Sequence, residues 1–378
     1  MGKVLYFRTG SCFRCGSMLF DLKPKVNRSD LFDFDQEIDA LTKFIKEPST
    51  RLIVIKGLRR TGKTSLILST LNTLNVPYVF IDIREIIRSR RGLYMLLSNA
   101  LNDFIKRYSK YDALIKSIVN VLSLIRGINV AGLEISIKWG KDRPLLTDIF
   151  KGFNMAAGDH NTRIIVVIDE AQRLAGSLGV EVWNAIAYAY DFLSSLTFII
   201  TGSEVGVLNL ILNNPESPLF GRGYVEVSTR ELTREESIRF LKLGFSETKV
   251  MVSDNELNDA VDKLGGIIGW LTYYGYVRSF GGRDLESIIN DAVNLAKQEL
   301  ENFLKTRVNG RRYRVILRSL ANDVREWGRL KRTLEDYEGV SISDRVIHEI
   351  LTTLKNHSII NNNLEFTDPV VREAARVI

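Results

Sequence analysis

The residues best placed to do chemistry are the run Gly57-Leu58-Arg59-Arg60-Thr61-Gly62-Lys63-Thr64, followed by Ser65. Its GxxxxGK[ST] spacing lets backbone N–H groups converge on phosphate oxygens with no side chain in the way. Lys63 can reach the β- and γ-phosphates and Thr64 can ligate magnesium. A helix starting here would turn its positive end toward the anion. A second constellation is Asp169-Glu170. One carboxylate would balance the metal and the other would polarise an attacking water. Thr201, with Ser203 two residues on, offers a neutral hydroxyl that could hydrogen-bond a γ-phosphate or the lytic water.

These residues need a scaffold that brings them together, and the apolar pattern supplies one. Leu52-Ile-Val-Ile-Lys-Gly, Val76 to Asp82, Ile164 to Asp169 and Thr197 to Thr201 are continuous apolar runs, as strands buried on both faces require. Stretches with three- and four-residue periodicity, Ser65–Leu74 and Trp183–Leu196, lie between them. Strand–helix–strand repetition predicts a parallel sheet with helices on both faces. Each chemical group would then sit at the C-terminal end of a strand. Ile128 to Trp139 alternates around Gly132 and predicts a hairpin insertion. After Val225-Glu-Val-Ser, Thr233-Arg-Glu-Glu236 predicts a helix start through a capping box. Helical periodicity then runs to about Thr306. Beyond Asn309-Gly310, three helices (Tyr313–Ala321, Gly328–Tyr337, Asp344–Lys355), a short polar hairpin at 359–366 and a last helix fit a winged helix-turn-helix.

Composition sets outer bounds. The chain has 378 residues, 45% of them hydrophobic and 26% charged, so packed cores are expected and general disorder is not. The longest apolar runs are far shorter than the roughly 20 residues of a spanning helix, so no membrane partner is expected. Two cysteines make no disulfide framework, which points to a reducing, cytoplasmic setting. Cys12 and Cys15 form a single CxxC with no second ligand pair. The histidines (His160, His348, His357) do not have ligand spacing, so the expected reading is an N-terminal tail without metal or redox work. The first 16 residues show no secretory signal, and Met18 is an alternative translation start.

Taken together, the loop, the Val-Val-Ile-Asp-Glu-Ala-Gln strand, Ile-Thr-Gly-Ser and Ser217-Pro-Leu-Phe-Gly-Arg222 resemble the archaeal ATPase family, a branch of the AAA+-like, STAND-type P-loop NTPases. The resemblance covers about Met18 to Ile378. It implies an α/β fold with a P-loop NTPase parallel sheet, a helical lid and a C-terminal winged helix. It also implies ATP and Mg2+ as ligands, and no guanine-specifying Asn-Lys-x-Asp occurs. Arg222 falls where the family would place an arginine finger, acting in cis or across a subunit interface. Two positions depart from the family. Gly265-Gly266-Ile267-Ile268 has isoleucine where a lid proline is usual, which is expected to weaken lid coupling. Phe32-Asp-Phe34-Asp-Gln-Glu37-Ile38 lacks the customary arginine. Leu31 to Asp33 is expected to border the adenine.

The expected division is a tail at 1–25, a P-loop core at 26–230, a lid at 231–306 and a winged helix at 307–378. Charge is concentrated rather than diffuse. Residues 305–332 carry ten basic residues against Asp323 and Glu326, a net +8 out of +7 for the whole chain, so the remainder is close to neutral. Such a block suits phosphate-backbone contacts. The recognition helix offers Arg345, His348, Thr352 and Lys355, while Asp344 and Glu349 oppose an anion. The expectation is an ATP- and magnesium-dependent P-loop ATPase, slow without a partner, serving as a molecular switch or remodeller of a protein client or homo-oligomer. The alternative is an ATP-regulated DNA-binding initiator or regulator that engages duplex DNA through 305–332 and the winged helix. A nucleotide kinase is weaker because no acceptor-binding motif is evident.

Overall fold

The computed structural model describes residues 18–84, 89–110, 112–174 and 176–378. The Cys12/Cys15 pair lies outside them. The first half contains α1 (Asp35–Lys46), β1 (Leu52–Lys56), α2 (Lys63–Leu74) and β2 (Tyr78–Asp82). An insertion follows, with α3 (Arg90–Tyr108), α4 (Asp112–Ser123) and the antiparallel hairpin β3 (Ile128–Ala131) and β4 (Glu134–Ile137). The sheet resumes through α5 (Leu146–Asp159), β5 (Ile164–Asp169), α6 (Gly176–Phe192), β6 (Leu196–Gly202), α7 (Val205–Asn213) and β7 (Val225–Ser228).

The strands β2-β5-β6-β1-β7 form one parallel sheet in that spatial order. β1, β5 and β6 are buried along their whole length, which is why their sequences run continuously apolar. The four expected strands are present. β7 is a fifth, on the edge beside β1. Helix α6 ends at Phe192, earlier than Leu196, because Leu196 already opens β6. The order has a chemical consequence. β6 lies between β1 and β5, with Ile55 paired to Thr201 and Ile168 to Ile200. Thr201 therefore stands between the loop after β1 and the carboxylates after β5.

The second half is helical: α8 (Arg234–Thr248), α9 (Asp254–Leu264), α10 (Ile268–Gly281), α11 (Leu285–Lys305), α12 (Gly310–Ala321), α13 (Trp327–Glu338), α14 (Asp344–Asn356) and α15 (Pro369–Arg376). The Thr233–Glu236 capping box forms as expected. The polar hairpin of the wing reduces to a bridge between Ile360 and Phe366. The lid and winged helix were expected as separate units, but they share one apolar core running from Phe240 through Leu300, Leu320 and Leu354 to Ile378. α15 makes this continuity by packing on α9, α11 and α12.

The N-terminal segment also departs from expectation. Residues 18–25 do not behave as a tail, because Phe20 is fully buried in the lid core, edge-on to Phe240 and Phe245 at 5.7 and 5.0 Å. Gly244 and Gly275 leave room for its ring, since a Cβ on either would collide with it. No helix among the described residues is long and apolar enough to cross a membrane.

Candidate active site

The phosphate loop joins β1 to α2. Gly62 caps α2 at φ 89°, in the left-handed region, with the Phe34 ring so close that an added Cβ would lie 2.7 Å from Cζ. Both constraints demand glycine. Phe34 thus buttresses the loop from the position where the family's arginine is missing. Thr61 is buried; its hydroxyl donates to the Leu58 carbonyl (2.8 Å) and shares a 2.7 Å hydrogen bond with Thr229. Lys63 Nζ donates to the Gly57 and Leu58 carbonyls at 2.9 and 2.6 Å, which folds the lysine onto its own loop. Burial pulls its pKa down to about 8, although Glu170 and Asp169 partly oppose this.

Thr64 Oγ1 donates to Asp169 Oδ2 at 2.8 Å, and Thr201 Oγ1 donates to Asp169 Oδ1. Asp169 is buried, and burial holds its carboxyl above the ordinary range despite those two bonds. A buried carboxylate beside a threonine hydroxyl is the hard-oxygen donor pair that suits Mg2+, which takes few protein ligands and keeps waters and phosphate oxygens. Thr64 and Asp169 would hold it, and there it would offset charge on the phosphates. Glu170, at φ 57°, donates its backbone N–H to Thr201 Oγ1 (3.2 Å). Its carboxylate accepts from Gln172 Nε2 (2.7 Å) and Ser203 Oγ (3.1 Å). Sequence reading did not find Gln172; a polar side chain two residues beyond the carboxylates was the available signal.

Above the loop lies a cleft of about 420 Å³ whose floor is Gly62, Lys63, Thr64 and Ser65. Of the expected stretch Leu31 to Asp33, Leu31 and Phe32 line it and Asp33 does not; Phe34 and, from α10, Ile268, Gly269 and Tyr273 line it as well. Residues 19 and 21–25 complete it, with the Lys25 N–H donating to Ser65 Oγ at 3.0 Å. These were missed because a short aperiodic stretch gives no pattern to read. The volume and mixed lining suit a nucleotide-sized ligand.

The loop is tied to the lid by its own arginines. The Arg60 guanidinium lies 4.0 Å from the Trp270 ring, and it pairs with Glu299 of α11 at 2.7 Å. Arg59 reaches the same carboxylate at 3.1 Å. Burial would raise the Glu299 pKa, but the two guanidiniums outweigh it and hold it low. The Gly269 N–H donates to the Arg60 carbonyl at 2.9 Å. Ile268 is the first residue of α10, where a proline's missing N–H would cost nothing. The tie from Gly269 to Arg60 is present with isoleucine at this position. Trp270 Nε1 in turn donates to the buried Asp368 (2.9 Å), the N-cap of α15. A second tie joins the winged helix to Glu204, the N-cap of α7 just after the strand carrying Thr201. His357 Nδ1 lies 2.7 Å from Glu204, and its Nε2 lies 2.7 Å from Arg307. Accepting from Arg307 at Nε2 leaves Nδ1 as the donor to Glu204.

Arg222 is not brought to the cleft. It pairs with Asp191 near the end of α6 (2.5 Å) and also donates to the Pro218 carbonyl. Much of the basic block is likewise internally paired: Arg312 with Glu338, Arg325 with Asp323 and Glu365, Arg329 with Glu326, and Lys331 with Asp344. Arg345 on α14 is paired with Glu349. Arg311, Arg314 and Arg318 have no ion-pair partner among the described residues, and all three are exposed on one face of α12.

A parallel sheet in this order, with a glycine-rich loop after one strand and a carboxylate pair two strands away, defines an AAA+-like P-loop ATPase fold carrying a helical lid and a C-terminal winged helix. The chain belongs to the family of ATPase domains found predominantly in Archaea, which matches residues 31–273. Residues 308–365 match the C-terminal winged helix-turn-helix domain of MCM proteins. The Walker-type ATPase PABY2304 of Pyrococcus abyssi is 33% identical, with 95% of this chain and 100% of that one covered at a TM-score of 0.77. The Aeropyrum pernix ORC2 protein, solved in ADPNP–ADP complexes, shares the fold at 15% identity, with 91% and 90% covered at a TM-score of 0.59. Among curated proteins nothing similar was found.

Proposed function

We propose that the chain binds MgATP in the cleft and hydrolyses it, as a molecular switch or remodeller whose nucleotide state is read by the lid and winged helix. The observation that carries this reading is the meeting of Thr64, Asp169, Thr201 and Glu170 beside Lys63, with Lys63, Thr64 and Glu170 lining one nucleotide-sized cleft. Lys63 would turn from its loop carbonyls to the β- and γ-phosphates. The loop from Gly57 to Ser65 would surround them, and Thr64 and Asp169 would hold Mg2+. Glu170 would orient the lytic water and Thr201 would sense it. Arg222, tied to Asp191, would act only on the nucleotide of a neighbouring subunit. Lys63→Ala is expected to abolish MgATP binding, whereas Glu170→Gln retains binding and stops turnover. Undiminished hydrolysis by Glu170→Gln would sink the assignment.

A second reading, an ATP-regulated DNA-binding protein, is favoured by the unpaired stripe Arg311, Arg314 and Arg318. Three phosphates neutralised by that stripe correspond to a slope of about −2.7 in log affinity against log salt for duplex DNA. Neutralising all three arginines should remove about that much of the slope. Duplex binding that ignores salt, or no duplex binding, would leave the switch acting on a protein.

A further inference from the structure

The nucleotide cleft is lined by two arginines, Arg60 and Arg84. Arg60 is committed to Glu299 and Trp270 of the lid. Arg84 has no such partner in the lid. It follows β2, whose neighbour is the carboxylate strand β5: Asp82 is in register with Asp169, and the Ile83 N–H donates to the Asp169 carbonyl at 3.0 Å. Arg84 therefore follows the strand beside the carboxylate strand, and it lines the cleft together with Lys63, Thr64 and Glu170. Its backbone is fixed by Arg173 Nη1, which donates to the Arg84 carbonyl at 2.8 Å. Its guanidinium rests on Asp82 through Nε at 2.9 and 2.8 Å, while 55% of the side chain stays exposed. A well-exposed guanidinium held by one carboxylate that is 32% exposed can change partners at small cost, because water replaces it on Asp82. A γ-phosphate carries more charge than that carboxylate and matches the planar fork equally well.

We propose that Arg84 is a catalytic residue acting in cis: on ATP binding its guanidinium leaves Asp82 and takes the γ-phosphate. This rests on the hydrolytic reading above. In the step itself, a water oxygen forms a bond to the γ-phosphorus as the bond from that phosphorus to the β–γ bridging oxygen breaks. The electron pair of the broken bond leaves with ADP. The water's proton passes to Glu170 and then to solvent. Arg84 offsets the charge on the equatorial oxygens throughout. The chain then supplies a γ-phosphate arginine of its own, whether or not Arg222 of a second copy also reaches the site, and it distinguishes ATP from ADP by a contact that only the γ-phosphate can make.

The test uses the full chain with Mg2+, comparing wild type, Arg84→Ala and the double variant Asp82→Asn/Arg84→Ala. Single-turnover hydrolysis and the dissociation constants of ADP and a non-hydrolysable ATP analogue are measured over a range of protein concentrations. Arg84→Ala should slow hydrolysis by roughly 1,000-fold or more, the low side of an arginine finger's effect. It should weaken the ATP analogue by about 10- to 100-fold, as for a lost charged hydrogen bond, with ADP changed less than about threefold. The losses should be the same at every protein concentration. The double variant removes the uncovered Asp82 carboxylate, which could repel phosphate by itself, and should show the same losses. Wild-type rate and analogue-over-ADP discrimination in Arg84→Ala, equal weakening of both nucleotides, or recovery in the double variant would each overturn the proposal. If the wild type binds nucleotide but does not hydrolyse it, the hydrolytic reading fails. The analogue-over-ADP ratio then decides the Arg84 contact alone.

Discussion

The titration of Lys63 gives the sharpest quantitative test of the phosphate site. In the unliganded protein this ammonium is buried against the Gly57 and Leu58 carbonyls, and burial lowers its pKa to about 8. Bound to a triphosphate it must stay charged, so only the protonated fraction of the free protein is competent to bind. With a pKa near 8, that fraction is about 90% at pH 7 and about 10% at pH 9. The apparent Kd for MgATP should therefore rise roughly tenfold between those two values. The sign for folding is the opposite. The folded pKa lies below that of an unfolded lysine, so the unliganded state gains stability from this group as pH rises above 8. Calorimetric or fluorescence titration at fixed ionic strength and saturating Mg2+ measures the first effect. Lys63→Arg, whose guanidinium does not titrate in this range, serves as the flat control. A wild-type Kd that is constant from pH 7 to 9, or that falls, would refute the claim that a buried, titrating lysine guards the phosphate site.

Phe20→Ala should cost about 3–5 kcal/mol in urea unfolding of the lid, since a ring fully enclosed by Phe240, Phe245, Gly244 and Gly275 is replaced by a cavity; a loss under about 1 kcal/mol would mean that residues 18–25 are a tail after all. Trp270→Phe keeps a ring under Arg60 but removes the indole N–H from Asp368, a buried carboxyl already held above its ordinary pKa by burial. It should destabilise the chain by about 1–3 kcal/mol in the same assay, and an unchanged midpoint would show that the α15 cap does not depend on the lid.

The nucleotide half was the more legible part of the sequence. Strands such as Ile164–Asp169 are buried on both faces, so their apolar runs are unbroken, and the chemical residues follow at their ends. β7 escaped notice because an edge strand of four residues with Glu226 exposed leaves only a fragment of that pattern. Phe20 was unreadable for a different reason. Its burial depends on two glycines, Gly244 and Gly275, more than 200 residues away, and no local spacing encodes such a fit. The charge block is a third case. Composition counts Arg312 and Arg325 as available cations, whereas Glu338, Asp323 and Glu365, brought close by the fold, neutralise them. The stripe Arg311, Arg314 and Arg318 keeps the expected character.

The shared core of the lid and winged helix constrains how any nucleotide signal can travel. Parting α15 from α11 would expose side chains such as Leu300, Val370 and Ala374, which are now almost fully buried, and apolar exposure is costly. Beside the apolar packing of Ile268 on the core of the sheet, the contacts between this body and the sheet include pairs of another kind: Arg59 and Arg60 on Glu299, Arg60 on Trp270, and His357 on Glu204. Polar, partly exposed pairs exchange partners for water or phosphate at much lower cost. The body from Leu232 onward should therefore move as a unit against the sheet. Both chain segments that enter its core from the sheet side, residues 18–33 and the link after β7, border the cleft or the loop, where Phe32 lines the wall and Thr229 touches Thr61. Phosphates drawing Lys63 off its own carbonyls would disturb the same loop whose Arg60 holds Glu299 and Trp270. The phosphate loop would thus also be the hinge contact of the lid, whose core the winged helix shares, and no longer relay between them is required.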